Sequence, residues 1–401
     1  MRVTSRQPEN DLSEPSTAVG TVRPIGLRVL AIGPYSHAAF IEAHSASFLQ
    51  SPDWAAVKPG WRSERLGWFD GDDLVGVAAV LYRPVPGTRM SLAYLPEGPV
   101  LPWASVGADL QRWLDPLVAQ LRARHAFAVR IGPALPVRAW RPATAKRGLA
   151  DPEITRFSQL APDDVRLQGI LLARKLRQSG WRPVDDGAAA GGFGAGQPKL
   201  GVRIDLRGKA LPDLLAGANQ QWRRNAGRSA KAGVSVRRGS LADLAVFHRL
   251  YRETAERDGF TPRPAGYFDG MWRALAHGGE PRIRLYLAEL GAQREPLAAA
   301  LMIRIGGCLW YAYGASSSRH RPAQASTAVQ WRALQDAHAE GCHTYDLRGI
   351  ADTLDPAQPL VGLLRFKLGM GGQVVETMGE WELTLSPTAH RLFRLYLRWR
   401  S

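Results

Sequence analysis

Lys367 stands between Phe366 and Leu368 in the segment Gly362-Leu-Leu-Arg-Phe-Lys-Leu-Gly-Met-Gly-Gly372. Only seven of the 52 basic residues are lysines, at 58, 146, 175, 199, 209, 231 and 367; the others are arginines. In so arginine-biased a chain, a lysine here suggests that a compact, rotatable point charge is wanted. One ammonium can stabilise the oxyanion of an acyl transfer. The alternative is a surface lysine on a Gly-flanked loop. A second group is Glu256-Arg-Asp-Gly-Phe-Thr-Pro-Arg-Pro264 with Tyr267. Prolines on both sides of Arg263 stiffen the chain and suit a cation held out to a phosphate, although Arg263 could instead pair with Asp258 or Glu256. Lys58, before Pro59-Gly60-Trp61, has the same two readings. The third group is Asn219 to Gly233, where Arg224, Arg228 and Lys231 recur at i, i+4, i+7, with Arg223 beside them. Such a row shares one helix face and can track a phosphate backbone; otherwise it is a solvated face whose late cations suit a helix end before Gly233.

Other chemistries lack their residues. There is no Walker loop, no H-E-x-x-H, no C-x-x-C, no G-x-S-x-G and no G-x-G-x-x-G after a strand. The nine histidines show no ligand spacing, and His320 and His343 read as polar residues of a loop and a strand. Neither a cofactor nor a metal is expected. Cys308 and Cys342 make no disulfide framework and read as buried thiols.

The elements that must position these residues can be read from periodicity. An aromatic strand, Leu309-Trp-Tyr-Ala-Tyr-Gly-Ala-Ser-Ser317, is followed by a helix over 326–340, a strand over 343–347, and the Lys367 segment as a basic loop. Before it come a helix opened by Ser240 with Asp243 three residues on, strands over 284–288 and 296–305, and a tight turn at Gly306-Gly307. The first half has the same order: a strand over 27–32, a helix over 38–49, a hairpin about Asp70-Gly-Asp-Asp73, a strand over 90–95, a helix over 106–124 and a strand over 127–131. Helix, hairpin, strand, long helix, strand thus occurs twice. It predicts an α/β (α+β) fold of two tandem acyltransferase (GNAT-like) domains with a ligand cleft between them. The expected division is a disordered leader over 1–24, domains over 25–185 and 186–379, and a strand and helix over 380–401 packing back on the first domain. The join is the Gly/Ala-rich stretch from Asp186 to Gln197. The last helix carries Leu392, Leu395, Tyr396 and Trp399 on one face and Arg391, Arg394 and Arg398 on another. It could lie on a membrane surface or pack on the body with its arginines in water.

Net charge is +16, which favours a polyanionic partner such as RNA, an anionic membrane or a phosphorylated substrate; a generally arginine-rich genome would also raise it. No apolar run approaches the roughly 18 residues of a membrane span, and Met1 to Val22 is polar with no secretory core. A cytoplasmic protein is expected, at most peripheral at the inner membrane face.

At these residues the chain resembles the Fem family (FemA/FemB/FemX) of peptidoglycan-bridge aminoacyltransferases. The stretches that carry the resemblance are Phe48 to Lys58, Trp222 to Gly233, Tyr251 to Tyr267, Trp310 to Ser317, Gln330-Trp331, Tyr345-Asp346, Gly362 to Gly372 and Gly379-Glu-Trp381. The resemblance implies transfer of an amino acid from aminoacyl-tRNA to the side-chain amine of the third stem-peptide residue. The acceptor would be lipid II or its nucleotide-linked precursor. It further implies that Lys58 binds acceptor phosphate and that Thr261, Arg263 and Tyr267 form a second acceptor-binding group. Phe366 and Lys367 would be the catalytic pair, and Tyr311 or Tyr313 would touch substrate. The face of Arg223, Arg224, Arg228 and Lys231 is the candidate for tRNA, and Asp346 an outside candidate for a general base. Two departures stand out. Glu97 replaces the family's usual Arg in the Pro-x-Gly-Pro turn, and the acidic residue that commonly follows is missing at Pro102-Trp103. No long heptad segment appears, so no coiled-coil arm is expected.

The function expected is therefore a tRNA-dependent aminoacyltransferase, glycine favoured, that starts the interpeptide bridge. The rivals are a coenzyme A-dependent N-acetyltransferase and a non-enzymatic RNA-binding protein. Arg319-His-Arg-Pro-Ala323 stands where a Gly-rich pyrophosphate loop would hold coenzyme A, which argues against the first. The second would tolerate loss of Lys367.

Overall fold

A computed structural model describes residues 26–58, 60–184, 196–276 and 281–400. Two sheets carry the chain. The first has the strand order Arg28–Ala31, Arg62–Asp70, Asp73–Pro84, Ser91–Leu95, Ala126–Ile131, Trp381–Thr384, Arg182–Pro183. The second has nine strands in the order Val234–Gly239, Ile283–Leu290, Glu295–Ile305, Cys308–Ser316, Thr344–Gly349, Leu200–Asp205, Gln373–Thr377, Pro136–Trp140, Asp164–Val165.

Each sheet is antiparallel except at one corresponding place. Ser91–Leu95 runs parallel to Ala126–Ile131, and Cys308–Ser316 runs parallel to Thr344–Gly349. Parallel neighbours need a crossover, and a long helix supplies each one: Leu110–Ala123 in the first half, Ala325–Ala339 in the second. The α/β class and the twofold layout agree with the sequence-based expectation. No helix among the described residues is longer than the 15 residues of Leu244–Asp258 and Ala325–Ala339.

The halves interlock. Strand Trp381–Thr384 crosses back to pair with Ala126–Ile131. Strands Pro136–Trp140 and Asp164–Val165, grouped with the first domain on sequence, instead extend the second sheet beyond Gln373–Thr377. That pairing covers what would otherwise be an open edge. Between the sheets lies a core that draws on both halves: Ile41, Phe48, Trp54, Val57 and Val77 pack with Phe247, Phe268, Leu301 and Trp310. Gln50, fully buried, fastens this wedge by donating to Pro96 O at 2.7 Å and accepting from Ala79 N at 2.9 Å. Arg282 ties the second half to Glu42 at 3.1 Å and to Asp53 at 2.5 Å.

Three local expectations change. The helix expected over 38–49 is Pro34–Ala43, with proline pre-set in its first turn, followed by short 3-10 turns over Phe48–Gln50 and Pro52–Val57. The helix expected over 106–124 breaks at Asp109, whose side chain accepts from Arg112 N at 3.1 Å and starts a new helix there. Most consequentially, the Lys367 segment is not a loop but the helix Val361–Gly369. Its flanking glycines hid the helical spacing of Val361, Leu364 and Leu368, all buried.

Candidate active site

Helix Val361–Gly369 places Lys367 in its last turn, on the side that faces the interior. Lys367 is 3% exposed, and its Nζ donates to the Gly349 carbonyl at 2.7 Å. Burial lowers its pKa to about 7; nearby Asp346 opposes the shift and Arg348 adds to it. An ammonium has three donors, so the Gly349 bond leaves two for a substrate oxygen. Phe366 sits half-buried against the second-half core.

The Gly349 residue lines a cleft shared by the halves. Glu97 and Gly132 come from the first; Lys199, Arg203, Asp346, Arg348 and Glu380 come from later segments. The cleft walls are polar and paired. Arg348 donates to Glu97 Oε1 at 2.8 Å and to Gln197 Oε1 at 2.9 Å, and Ser47 Oγ donates to the other Glu97 oxygen. Arg348 itself has a left-handed backbone, φ +63°. Asp346 accepts from Arg203 Nε at 2.8 Å and from Arg348 N at 2.7 Å. Tyr94 donates to Glu380 at 2.5 Å. Asp346 is thus committed to two donors, which fits a structural carboxylate rather than a base. Glu97, noted on sequence only as a departure, is a bridge between the halves. Its acidic type opposite Arg348 was the available signal, but strand order had to bring the two together.

A second site lies against the inter-sheet core. Lys58 Nζ stands 5.6 Å from the Trp54 ring and 5.9 Å from the Tyr267 ring. Burial lowers the Lys58 pKa, and the Arg263 charge lowers it further. The Arg263 guanidinium lies 4.8 Å from the same Tyr267 ring, and the Tyr267 and Tyr313 hydroxyls are 3.1 Å apart. Two cations thus face one tyrosine pair, with no carboxylate bonded to either among the described residues. Asp258 pairs with Arg257 at 2.8 Å and Glu256 with Arg252 at 3.8 Å, so neither holds Arg263. Thr261 is exposed two residues before Arg263 and makes no hydrogen bond among the described residues.

The two tyrosines of strand Cys308–Ser316 part company. Strict alternation would put Tyr311 and Tyr313 on one face, but the register shifts between Leu301 and Met302, which pair with Tyr313 and Tyr311. Tyr313 therefore joins Tyr267, Tyr251 and Phe268. Tyr311 packs into the opposite core, where burial raises its pKa to about 12 while a Gln330 hydrogen bond works against the rise.

The basic row is a real helix, Gln220–Lys231, capped by Asn219, which accepts from Trp222 N at 2.7 Å. Trp222 and Ser229 are buried, whereas Arg223, Arg224, Arg228 and Lys231 are exposed. Arg223 is spent on the preceding helix, donating to Ala216 O at 2.9 Å and Ala218 O at 2.5 Å. Arg224, Arg228 and Lys231 form no ion pair among the described residues. This helix abuts the Lys367 helix directly: Asn219 N donates to Gly369 O at 2.8 Å.

Comparisons with known proteins show the family and the fold. A family model described as the FemAB family matches residues 32–293 and 284–397. The chain is similar to the lipid II:glycine glycyltransferase of Staphylococcus saprophyticus, 24% identical over 89% of this chain and 93% of that one. It is similar to the same-named protein of Staphylococcus haemolyticus at 23% identity, covering 89% and 92%. Among solved structures it is similar to FemX, with a TM-score of 0.74 and 22% identity over 91% of this chain and 99% of that one. The chain belongs to the FemAB family.

Proposed function

We propose that this protein transfers glycine from glycyl-tRNA to the side-chain amine of the third stem-peptide residue of a lipid II-type acceptor, starting an interpeptide bridge. The observation that carries this reading is the contact between the Lys367 helix and the start of the cationic helix Gln220–Lys231. It joins a buried ammonium to a row of cations that makes no ion pair among the described residues and suits a polynucleotide. The names of the relatives supply glycine and lipid II.

In this reading the acceptor amine attacks the ester carbonyl of the charged tRNA. The C–N bond forms, the ester C–O bond breaks, and the amine proton passes to the departing ribose oxygen. Lys367, charged, offers its two remaining donors to the oxyanion. Among the described residues neither Asp346 nor a histidine stands ready as base, so the proton transfer is substrate-assisted. Lys58 and Arg263 hold acceptor phosphate, with the Tyr267 ring beside both. Arg224, Arg228 and Lys231 hold the tRNA; Arg223 braces the helix. The two halves act as donor and acceptor sides of one cleft. The enzyme works at the inner face of the cell membrane.

The test is a transfer assay with tRNAs charged with labelled glycine, alanine or serine. Lipid II and the soluble nucleotide pentapeptide are offered separately. Transfer from glycyl-tRNA to either acceptor is expected. No transfer in any pairing, together with coenzyme A binding, would overturn the reading.

A further inference from the structure

Over residues 387–395 the last helix, Pro387–Arg400, buries only part of its circumference. Ala389 and Phe393 pack on Leu92, Phe127 and Ala128 of the first sheet. His390 anchors its start on Glu382 at 2.7 Å, a carboxylate already held by Arg130 at 2.7 Å. On the outward side Leu392 is 61% exposed and Leu395 60%, and the exposed Arg391 and Arg394 alternate with them. Val85 packs against the same small core, which brings the connection 84–90 alongside, with Arg89 and Met90 exposed.

Charge makes this face unusual. Residues 386–395 hold two arginines and no aspartate or glutamate, and residues 84–90 hold no acid either. Exposed leucines set among arginines, without a carboxylate, complement a surface that is apolar just below a layer of negative charge. A soluble polyanion would match the arginines but gain nothing from the leucines. The face also adjoins the acceptor side of the molecule. The Arg83 guanidinium lies 5.5 Å from the Phe393 ring and 5.7 Å from the Trp61 ring, three residues beyond Lys58.

We infer that the outward face of the last helix, with Arg89 and Met90 beside it, docks on an anionic bilayer and brings the Lys58 segment to the membrane surface. Bilayer binding does not depend on the transfer reaction; only its benefit for a lipid-linked acceptor rests on the function proposed above.

Sedimentation of the full chain with sucrose-loaded vesicles tests this. The chain should bind vesicles containing phosphatidylglycerol and not pure phosphatidylcholine. The double variant Arg391→Ala/Arg394→Ala should lose roughly thirtyfold in partitioning, and Leu392→Ser/Leu395→Ser should also bind more weakly, each with an unchanged melting temperature. Binding equal to the parent's in both variants would overturn the inference. So would an equal loss in Arg224→Ala/Arg228→Ala/Lys231→Ala, since attraction would then be spread over the whole basic surface. Retention by RNA but not by anionic vesicles would overturn it too. With a soluble nucleotide-linked acceptor the arginine variant should turn over as the parent does, and more slowly only with acceptor in vesicles. If neither acceptor is used, the proposed function fails while the vesicle result stands.

Discussion

Lys58 and Lys367 are both lysines withdrawn from water, yet their surroundings differ in kind. Lys58 sits among aromatic faces with a second cation, Arg263, over the same Tyr267 ring, so two positive charges are held together without a carboxylate bonded to either among the described residues. Such a pair suits an anion that is fully formed before it binds. Lys367 is almost completely enclosed, bonded to one carbonyl, and titrates near neutrality. Such a donor suits charge that appears only during reaction, because a preorganised donor in a dry place is worth most there. In the proposed function this difference separates binding from chemistry.

The largest effect should come from Lys367→Met. Turnover should fall about 100- to 1,000-fold while tRNA affinity, measured by filter binding, stays at the parent's level. The same variant should be more stable than the parent at neutral pH, which separates a chemical role from a structural one. Lys367 titrates at about 7 in the folded protein and at its ordinary 10.5 when unfolded. Below about pH 7 both states carry the proton, and the full cost of burying the ammonium stands. Between 7 and 10.5 the unfolded chain binds a proton the folded chain lacks, so parent stability rises with pH through that window. The stability advantage of Lys367→Met, on the order of several kcal/mol, should be largest at pH 6 and vanish near pH 10 in denaturant titrations. An advantage that grows with pH would break the comparison.

Lys58→Met should act on the other term. Loss of one charge-assisted contact to phosphate should raise KM for the acceptor roughly tenfold or more with kcat nearly unchanged. A fall in kcat with KM constant would mean that Lys58 belongs with Lys367. Glu97→Gln tests the bridge between the halves. It removes the negative charge opposite Arg348 while the Gln197 oxygen and the Phe48 ring stay beside the guanidinium, and it should cost about 2 kcal/mol, read as a lower melting temperature.

Much of this division was legible in the sequence, and the missing parts have physical reasons. The twofold order of elements, the crossover helices and the cationic helix follow from local periodicity. Lys367 stood out by residue type alone, since lysine is rare in this chain. Its enclosure did not, because glycines at both ends disguised a helix as a loop. The strand exchange was equally hidden: Pro136–Trp140 carries no local signal of the sheet it joins, and its partner lies more than 200 residues on. Glu97 and Arg348 each looked ordinary; only the fold sets them 2.8 Å apart.

The bulge in strand Cys308–Ser316 is the finest such case, and the smallest effects test it. The family resemblance left Tyr311 and Tyr313 equal claims on the substrate. The register shift sends Tyr313 to the Lys58 site, where its hydroxyl meets that of Tyr267, and sends Tyr311 to a core beside Gln330. Tyr313→Phe should therefore raise the acceptor KM by roughly fivefold, the worth of one neutral hydrogen bond, with little change in melting temperature. Tyr311→Phe should leave KM alone and cost about 1 kcal/mol of stability, because it strips a buried hydroxyl from its partner. The reverse pattern, with Tyr311→Phe acting on KM, would place the bulge on the wrong side of Ala312 and return both tyrosines to one face.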